Sequence, residues 1–114
     1  MTEPKIQSTI NHLLGCHRGC ERQILDSLDL GGKHATRQHI AMLTDLSDLS
    51  HVTAELLERG SEWEWAEWLC ELTGDACVEA ADQCEQLGET ECAEMCRTAA
   101  AACAAMEKRP AQAG

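Results

Sequence analysis

The sequence predicts an all-α fold, an antiparallel up-down-up-down four-helix bundle. Three observations predict it. Glycines at Gly31-Gly32, Gly60 and Gly88 divide the chain into four stretches of helix-forming residues. No stretch alternates with period two and β-branched residues are sparse, which removes the strand pattern. The connections are short, so neighbouring helices run antiparallel. With 114 residues, the chain fits one domain, residues 1–110, followed by a frayed tail at 111–114.

The first helix opens at Pro4, where a missing N–H costs nothing, and runs to about Leu30. Its core stripe passes through Ile6, Ile10, Leu13, His17, Cys20 and Ile24, with Cys16 beside it. Gly15 and Gly19 lie inside this helix. Each costs about 1 kcal/mol relative to Ala, so close backbone approach is the expected compensation, with Gly74 doing the same in the third helix. The second helix runs from about Thr36 to Arg59 and offers Ile40, Leu43, Leu46, Leu49, Leu56 and Leu57. Ser61 with Glu64 forms a capping box for the third helix, which reaches Leu87. Its stripe is Trp63, Cys70, Cys77 and Cys84, the cysteines spaced seven apart on one narrow face. The fourth helix, from near Thr90 to Pro110, carries Cys92, Cys96, Cys103 and Met106 on one stripe.

Charge and composition exclude several functions. Nine Lys and Arg against 20 Asp and Glu leave a net charge of -11. A phosphate-reading surface needs the opposite sign, so neither nucleic acid nor an anionic membrane is an expected partner. Phe and Tyr are absent and three Trp remain, too few for a base-stacking surface. No apolar run approaches the roughly 18 residues that span a bilayer. The N-terminus has no basic region followed by an apolar one, so no signal peptide is read. A cytoplasmic location follows as the expectation, and with it reduced thiols.

The eight cysteines then carry the functional argument. Residues equidistant from a turn near residue 87 sit at one level of a helical hairpin. Cys70 should therefore face Cys103, Cys77 should face Cys96, and Cys84 should face Cys92. Successive rungs lie about 10 Å apart. The first helix runs parallel to the third, which brings Cys16 and Cys20 to the middle rung. Cysteines can be merely small buried hydrophobes, or be stapled into disulfides that make an interaction module. Two cysteines seven apart on one helix cannot bridge each other, although rungs could. The ordered ladder favours a third reading, a soft metal held inside the bundle.

Thiolate and thioether donors select Cu(I), which needs only two or three ligands per ion. Zinc would want compact tetrahedral sets on loops, and only Cys16/Cys20 and Cys92/Cys96 are close in sequence. Iron–sulfur loops are absent, but a four-cysteine cluster from Cys16, Cys20, Cys77 and Cys96 or Cys103 stays open. An iron–sulfur or other redox centre for electron transfer is accordingly the alternative cofactor. The expected metal ligands are Cys16, Cys20, Cys70, Cys77, Cys84, Cys92, Cys96, Cys103, Met106 and His17. No Ser-His-Asp set, phosphate loop or paired-carboxylate motif stands out, so no enzymatic activity is expected.

Residues 52–106 resemble the Cys-rich four-helix-bundle family that includes the bacterial copper storage proteins. The similarity lies in Ala54 to Ser61, in Leu69-Cys70-Glu71-Leu72 with Cys77, in Asp82-Gln83-Cys84-Glu85, and in Cys92, Cys96, Cys103 and Met106. The first helix matches only in its Cys16/Cys20 pair. The resemblance implies a bundle core lined with thiols and filled with Cu(I). Leu46, Ser50, Thr73, Ala80 and Ala99 stand where family members tend to place further cysteines, and the second helix has none. A smaller cluster than in bulk storage is implied.

Among the histidines, His17 is either a ligand or a satisfied core side chain. His39 should lie at the Cys84/Cys92 end, and His12 and His51 near the Cys70/Met106 end. His34 should sit in a solvated loop. Trp63, Trp65 and Trp68 should plug one end of the bundle or form a partner or dimer surface, which leaves a homo-oligomer open.

Overall fold

Four helices account for most of the chain in a computed structural model that describes residues 3–60 and 64–107. They are α1 (Pro4–Leu30), α2 (Arg37–Glu58), α3 (Glu64–Gln86) and α4 (Thr90–Glu107). A 3-10 turn, Gly32–Ala35, joins α1 to α2. The expected cap at Ser61, Trp63 and the tail at 111–114 lie outside the described residues.

The helix ends follow local chemistry. Thr36 precedes α2 in extended conformation, and its Oγ1 accepts the His39 N–H at 3.2 Å, an N-cap that satisfies one orphan donor. At the end of α3 the Gly88 N–H donates to Glu85 O at 3.0 Å, and the Glu89 N–H donates to Cys84 O at 2.8 Å. This is a Schellman motif, and its left-handed position falls on Gly88 at φ 77°. The motif folds Glu89 back over the Cys84 turn.

The helices form a ring. α1 packs on α2 and α4, and α3 packs on α4 and α2. The described chain makes a rod of 53 × 21 × 20 Å. Both the 3-10 turn and the α3–α4 connection lie at one end of it. None of the described helices is long and apolar enough to cross a membrane.

The interior differs from the expected stripes by a rotation of α1 and α2. On α1 the fully buried positions are Ile10, Leu13, Cys16, Cys20 and Ser27. Ile6, His17 and Ile24 are only half-buried. Leu13, Cys16, Cys20 and Ser27 themselves keep three-four spacing, so the seam runs through Cys16 and leaves His17 at its edge. On α2 the buried set is Leu43, Leu46, Ser47, Ser50, Thr53 and Ala54, with His39, while Ile40, Leu49, Leu56 and Leu57 are half-buried. Hydroxyls thus replace aliphatics along much of this seam. Two of them, Thr53 and Thr73, satisfy each other across α2 and α3 at 3.0 Å.

The glycine expectation holds at one position and fails at another. A Cβ at Gly19 would lie 2.0 Å from Met95 Sδ, so this glycine makes room for the thioether of α4. A Cβ at Gly15 would meet nothing within 4 Å, so no close approach compensates its helix cost. Trp65 and Trp68 are exposed rather than plugging the interior.

Candidate metal centre

Side chains at i and i+4 share one helix face. Cys16 and Cys20 on α1, and Cys92 and Cys96 on α4, therefore project inward as pairs. α3 adds Cys77 and Cys84, two turns apart. All six are at most 3% exposed. The Cys16, Cys20 and Cys96 sulfurs lie within 4.8 Å of one another. Cys16 Sγ is 4.0 Å from Cys77 Sγ, and Cys92 interacts with Cys20, Cys84 and Cys96. The six thiols therefore form one connected network. It runs from Cys77 through Cys16 to the Cys20/Cys96 level, then through Cys92 to Cys84. Contacts from α3 to the rest pass through Cys16 on α1 and Cys92 on α4. The strongest link of Cys77 is to Cys16, although Cys77 and Cys96 are both fully buried as the hairpin register requires.

Electrostatics give this network two hubs. Cys20, Cys77 and Cys96 surround Cys16, and hydrogen bonding with them lowers its pKa below the ordinary thiol value, against the opposing effect of burial. Cys92 is held down in the same way by Cys20, Cys84 and Cys96. The partners move the other way. The Cys16 sulfur pushes up Cys20, Cys77 and Cys96, the Cys92 sulfur pushes up Cys84, and burial adds to each. Ionising any of these sulfurs places charge in an interior from which water is excluded. Such charge is costly unless a cation neutralises it. Cys16, Cys20, Cys77, Cys84, Cys92 and Cys96 are free thiols.

The wall on the α2 side has no thiol; the sulfur it brings is the Met42 thioether, packed against the cluster. Leu43 and Leu46 complete the cluster there, with Ala80, Ala81, Ala93 and Ala99 filling gaps from α3 and α4. Ser50 Oγ is buried with no hydrogen-bond partner, yet its hydroxyl adds to the depression of the Cys16 thiol.

Family and structural comparisons bear on this thiol-lined bundle. The family model described as copper storage protein matches residues 2–108. The chain belongs to the copper storage protein family. A crystal structure of a protein from Nitrosospira multiformis is similar to it, with a TM-score of 0.87 and 28% identity. The alignment covers 93% of this chain and 97% of that one. No curated protein matches the sequence. The five positions expected to have lost cysteines, Leu46, Ser50, Thr73, Ala80 and Ala99, are all in the interior, at most 1% exposed.

Cys70, Cys103 and Met106 continue the cysteine stripes of α3 and α4 toward the opposite end. Cys103 belongs to a second buried cluster with Ile10, Leu13 and Ala54, though its charge still reaches Cys77. Cys70 and Met106 are buried as well. The structure does not bring His17 into the thiol group. Its Nδ1 is 2.8 Å from Ser47 Oγ and its Nε2 is 3.3 Å from Glu21. Its ring stacks on His51, centroids 4.7 Å apart. The His51 side chain is half-exposed beside it, and His12 lines a surface groove with Lys5 and Arg97.

At the other end the structure adds a residue that sequence reasoning missed. Glu89 is 6% exposed. Its Oε2 accepts from Ser27 Oγ at 3.1 Å and from His34 Nδ1 at 2.8 Å, and its Oε1 accepts from His39 Nε2 at 2.8 Å. Burial raises its pKa, but the bonds from His34, His39 and Ser27 outweigh that and hold it below the ordinary value. His34 is therefore half-buried and engaged, not solvated. His39 lies at the Cys84 end as expected, and His39, Cys84 and Glu89 offer ligand atoms within 4.8 Å of one another.

Proposed function

We propose that the protein sequesters Cu(I) as a multinuclear thiolate cluster centred on Cys16, Cys20, Cys92 and Cys96 and extended by Cys77 and Cys84. One observation carries this reading: six buried sulfurs from three helices make a single connected network. Cu(I) is soft and accepts two or three sulfurs, and bridging thiolates let neighbouring ions share them. Each monovalent ion balances one thiolate, so a filled cluster brings little net charge into the core. Each thiol that binds releases its proton, so affinity rises with pH. The role is storage or buffering rather than turnover, in a cytoplasm that keeps thiols reduced.

Cys70, Cys103 and Met106 extend the thiol and thioether set toward the opposite end and would load after the six. His17 is left out of the ligand set, because its two ring nitrogens serve Ser47 and Glu21. Bridging by eight thiols sets a ceiling on the order of eight ions, and the thiol-free α2 wall should hold the number below it.

Anaerobic titration of the reduced protein with Cu(I), against a competing chelator, tests the reading. Several tightly held, colourless ions per chain are expected. A single weak site would exclude storage. A brown chromophore from protein purified without oxygen would favour the iron–sulfur alternative.

A further inference from the structure

We propose that the bundle end beneath the 3-10 turn holds a separate site for one divalent borderline ion of the zinc class, with His39, Cys84 and Glu89 as its ligands. Cys84 is the one ligand this site shares with the proposed copper cluster, and in the copper-free protein it is open to this ion. Among the described residues, this is where imidazole, carboxylate and thiol converge, with ligand atoms within 4.8 Å and all three residues buried. The donor chemistry differs from that of the sulfur network. A carboxylate oxygen is a poor partner for Cu(I), whereas nitrogen, oxygen and sulfur together suit Zn2+ and its spectroscopic substitute Co2+.

Charge points the same way. Ionised Glu89 and a Cys84 thiolate together neutralise a dication. A monovalent ion on the same two ligands would leave a buried negative charge. His39 also has donor capacity to spare. Its Nε2–H is used on Glu89, while Nδ1 is buried with no hydrogen-bond partner. With the ring proton on Nδ1 instead, Nε2 is freed to share the ion with Glu89 Oε1. The only proton released to solvent is then that of the Cys84 thiol.

The site is preorganised by backbone and by neighbours. The Schellman motif ties the Glu89 N–H to the Cys84 carbonyl and so places carboxylate and thiol together. The Thr36 cap fixes the backbone at His39. Ser27 and His34 both donate to Glu89 Oε2, which orients Oε1 toward His39. Such orienting partners typically change metal affinity by about 10–100-fold when removed. The fourth coordination position is left to water.

Co2+ is the probe, added to the full-length, fully reduced chain without oxygen. One equivalent should develop visible ligand-field bands and the thiolate charge-transfer intensity of a single sulfur, and one equivalent of Zn2+ should bleach both. Glu89→Gln and His39→Ala should each abolish the signal, and Cys16→Ala should leave it in place. His34→Ala keeps all three ligands and should weaken Co2+ by about 10–100-fold, a readout that remains if the Glu89 or His39 variant fails to fold by circular dichroism. Failure of the folded wild-type chain to bind Co2+ overturns the proposal. So does a Co2+ signal with the intensity of two or more sulfurs that survives in folded Glu89→Gln.

Discussion

Cys16 and Glu89 show how much a single position can carry here. Cys16 gathers three thiols around one sulfur. Next to it Ser50 is a buried hydroxyl without a full hydrogen bond, so replacing it with a further thiol removes an unsatisfied group and adds a ligand. Ser50→Cys should raise the Cu(I) capacity by about one ion, measured by chelator-competed titration. Glu89 works through charge. Its carboxylate accepts three hydrogen bonds and its pKa is depressed. The stability this contributes is fully present above the carboxyl's unfolded value and is lost as pH falls through the depressed folded value. Glu89→Gln should destabilise the metal-free protein by about 2 kcal/mol at neutral pH. It should also flatten the acid side of its stability curve, as read by urea denaturation across a pH series. Cys16 was already among the expected ligands, whereas the role of Glu89 was not visible in the sequence. An acidic residue after a helix-ending glycine reads as a solvated start to the next helix. Its burial depends on the 3-10 turn and His39 closing over it, which no local pattern encodes.

At the scale of elements, the sequence was more legible. Gly31, Gly60 and Gly88 all take positive φ and end helices where the punctuation placed them. The heptad spacing of Cys70, Cys77 and Cys84 fixed the inward face of α3. The hairpin register then brought Cys84 to Cys92. What the spacing could not fix was the rotation of α1. Cys16 and His17 are adjacent and about 100° apart around the axis, and the apolar pattern fitted a seam through either. Ser47 decides the matter by holding the imidazole at the α1–α2 edge. The two glycines of α1 give a matched test of the packing. Gly15→Ala enters open space and should stabilise the protein by about 1 kcal/mol through helix propensity. Gly19→Ala must displace Met95, whose Sδ lies 2.0 Å from the new Cβ position, and should give back most of that gain. Thermal denaturation of both variants reads the difference.

Across the whole molecule, the bundle is an elongated box with unlike contents along its length. Carboxylate and imidazole occupy the end under the 3-10 turn, six linked thiols occupy the middle, and Cys103 sits among aliphatics beyond them. The thiol-free α2 wall leaves one side of the bundle without cysteine, a side that the family resemblance of the sequence pointed to before any contact was known. Because ligands arrive from α1, α3 and α4, metal ties together helices far apart in sequence. Binding to the folded state alone then raises stability by linkage. Cu(I) at a hundredfold its Kd should raise the Tm by about 10 °C or more, and chelation should return it to the metal-free value. A scan of the reduced protein with and without copper checks this.

The central claim is that the cluster is built on the connected six-thiol network. The most direct measurement is the number of tightly held Cu(I) ions in Cys16→Ala compared with Cys70→Ala, by anaerobic titration against one competing chelator. Cys16 joins Cys20, Cys77 and Cys96, whereas Cys70 lies seven residues, about 10 Å, along α3 from Cys77 toward the opposite end. Cys16→Ala should lose most of the tightly held copper, and Cys70→Ala should keep nearly all of it. Equal losses in the two variants, or a larger loss in Cys70→Ala, would contradict the account.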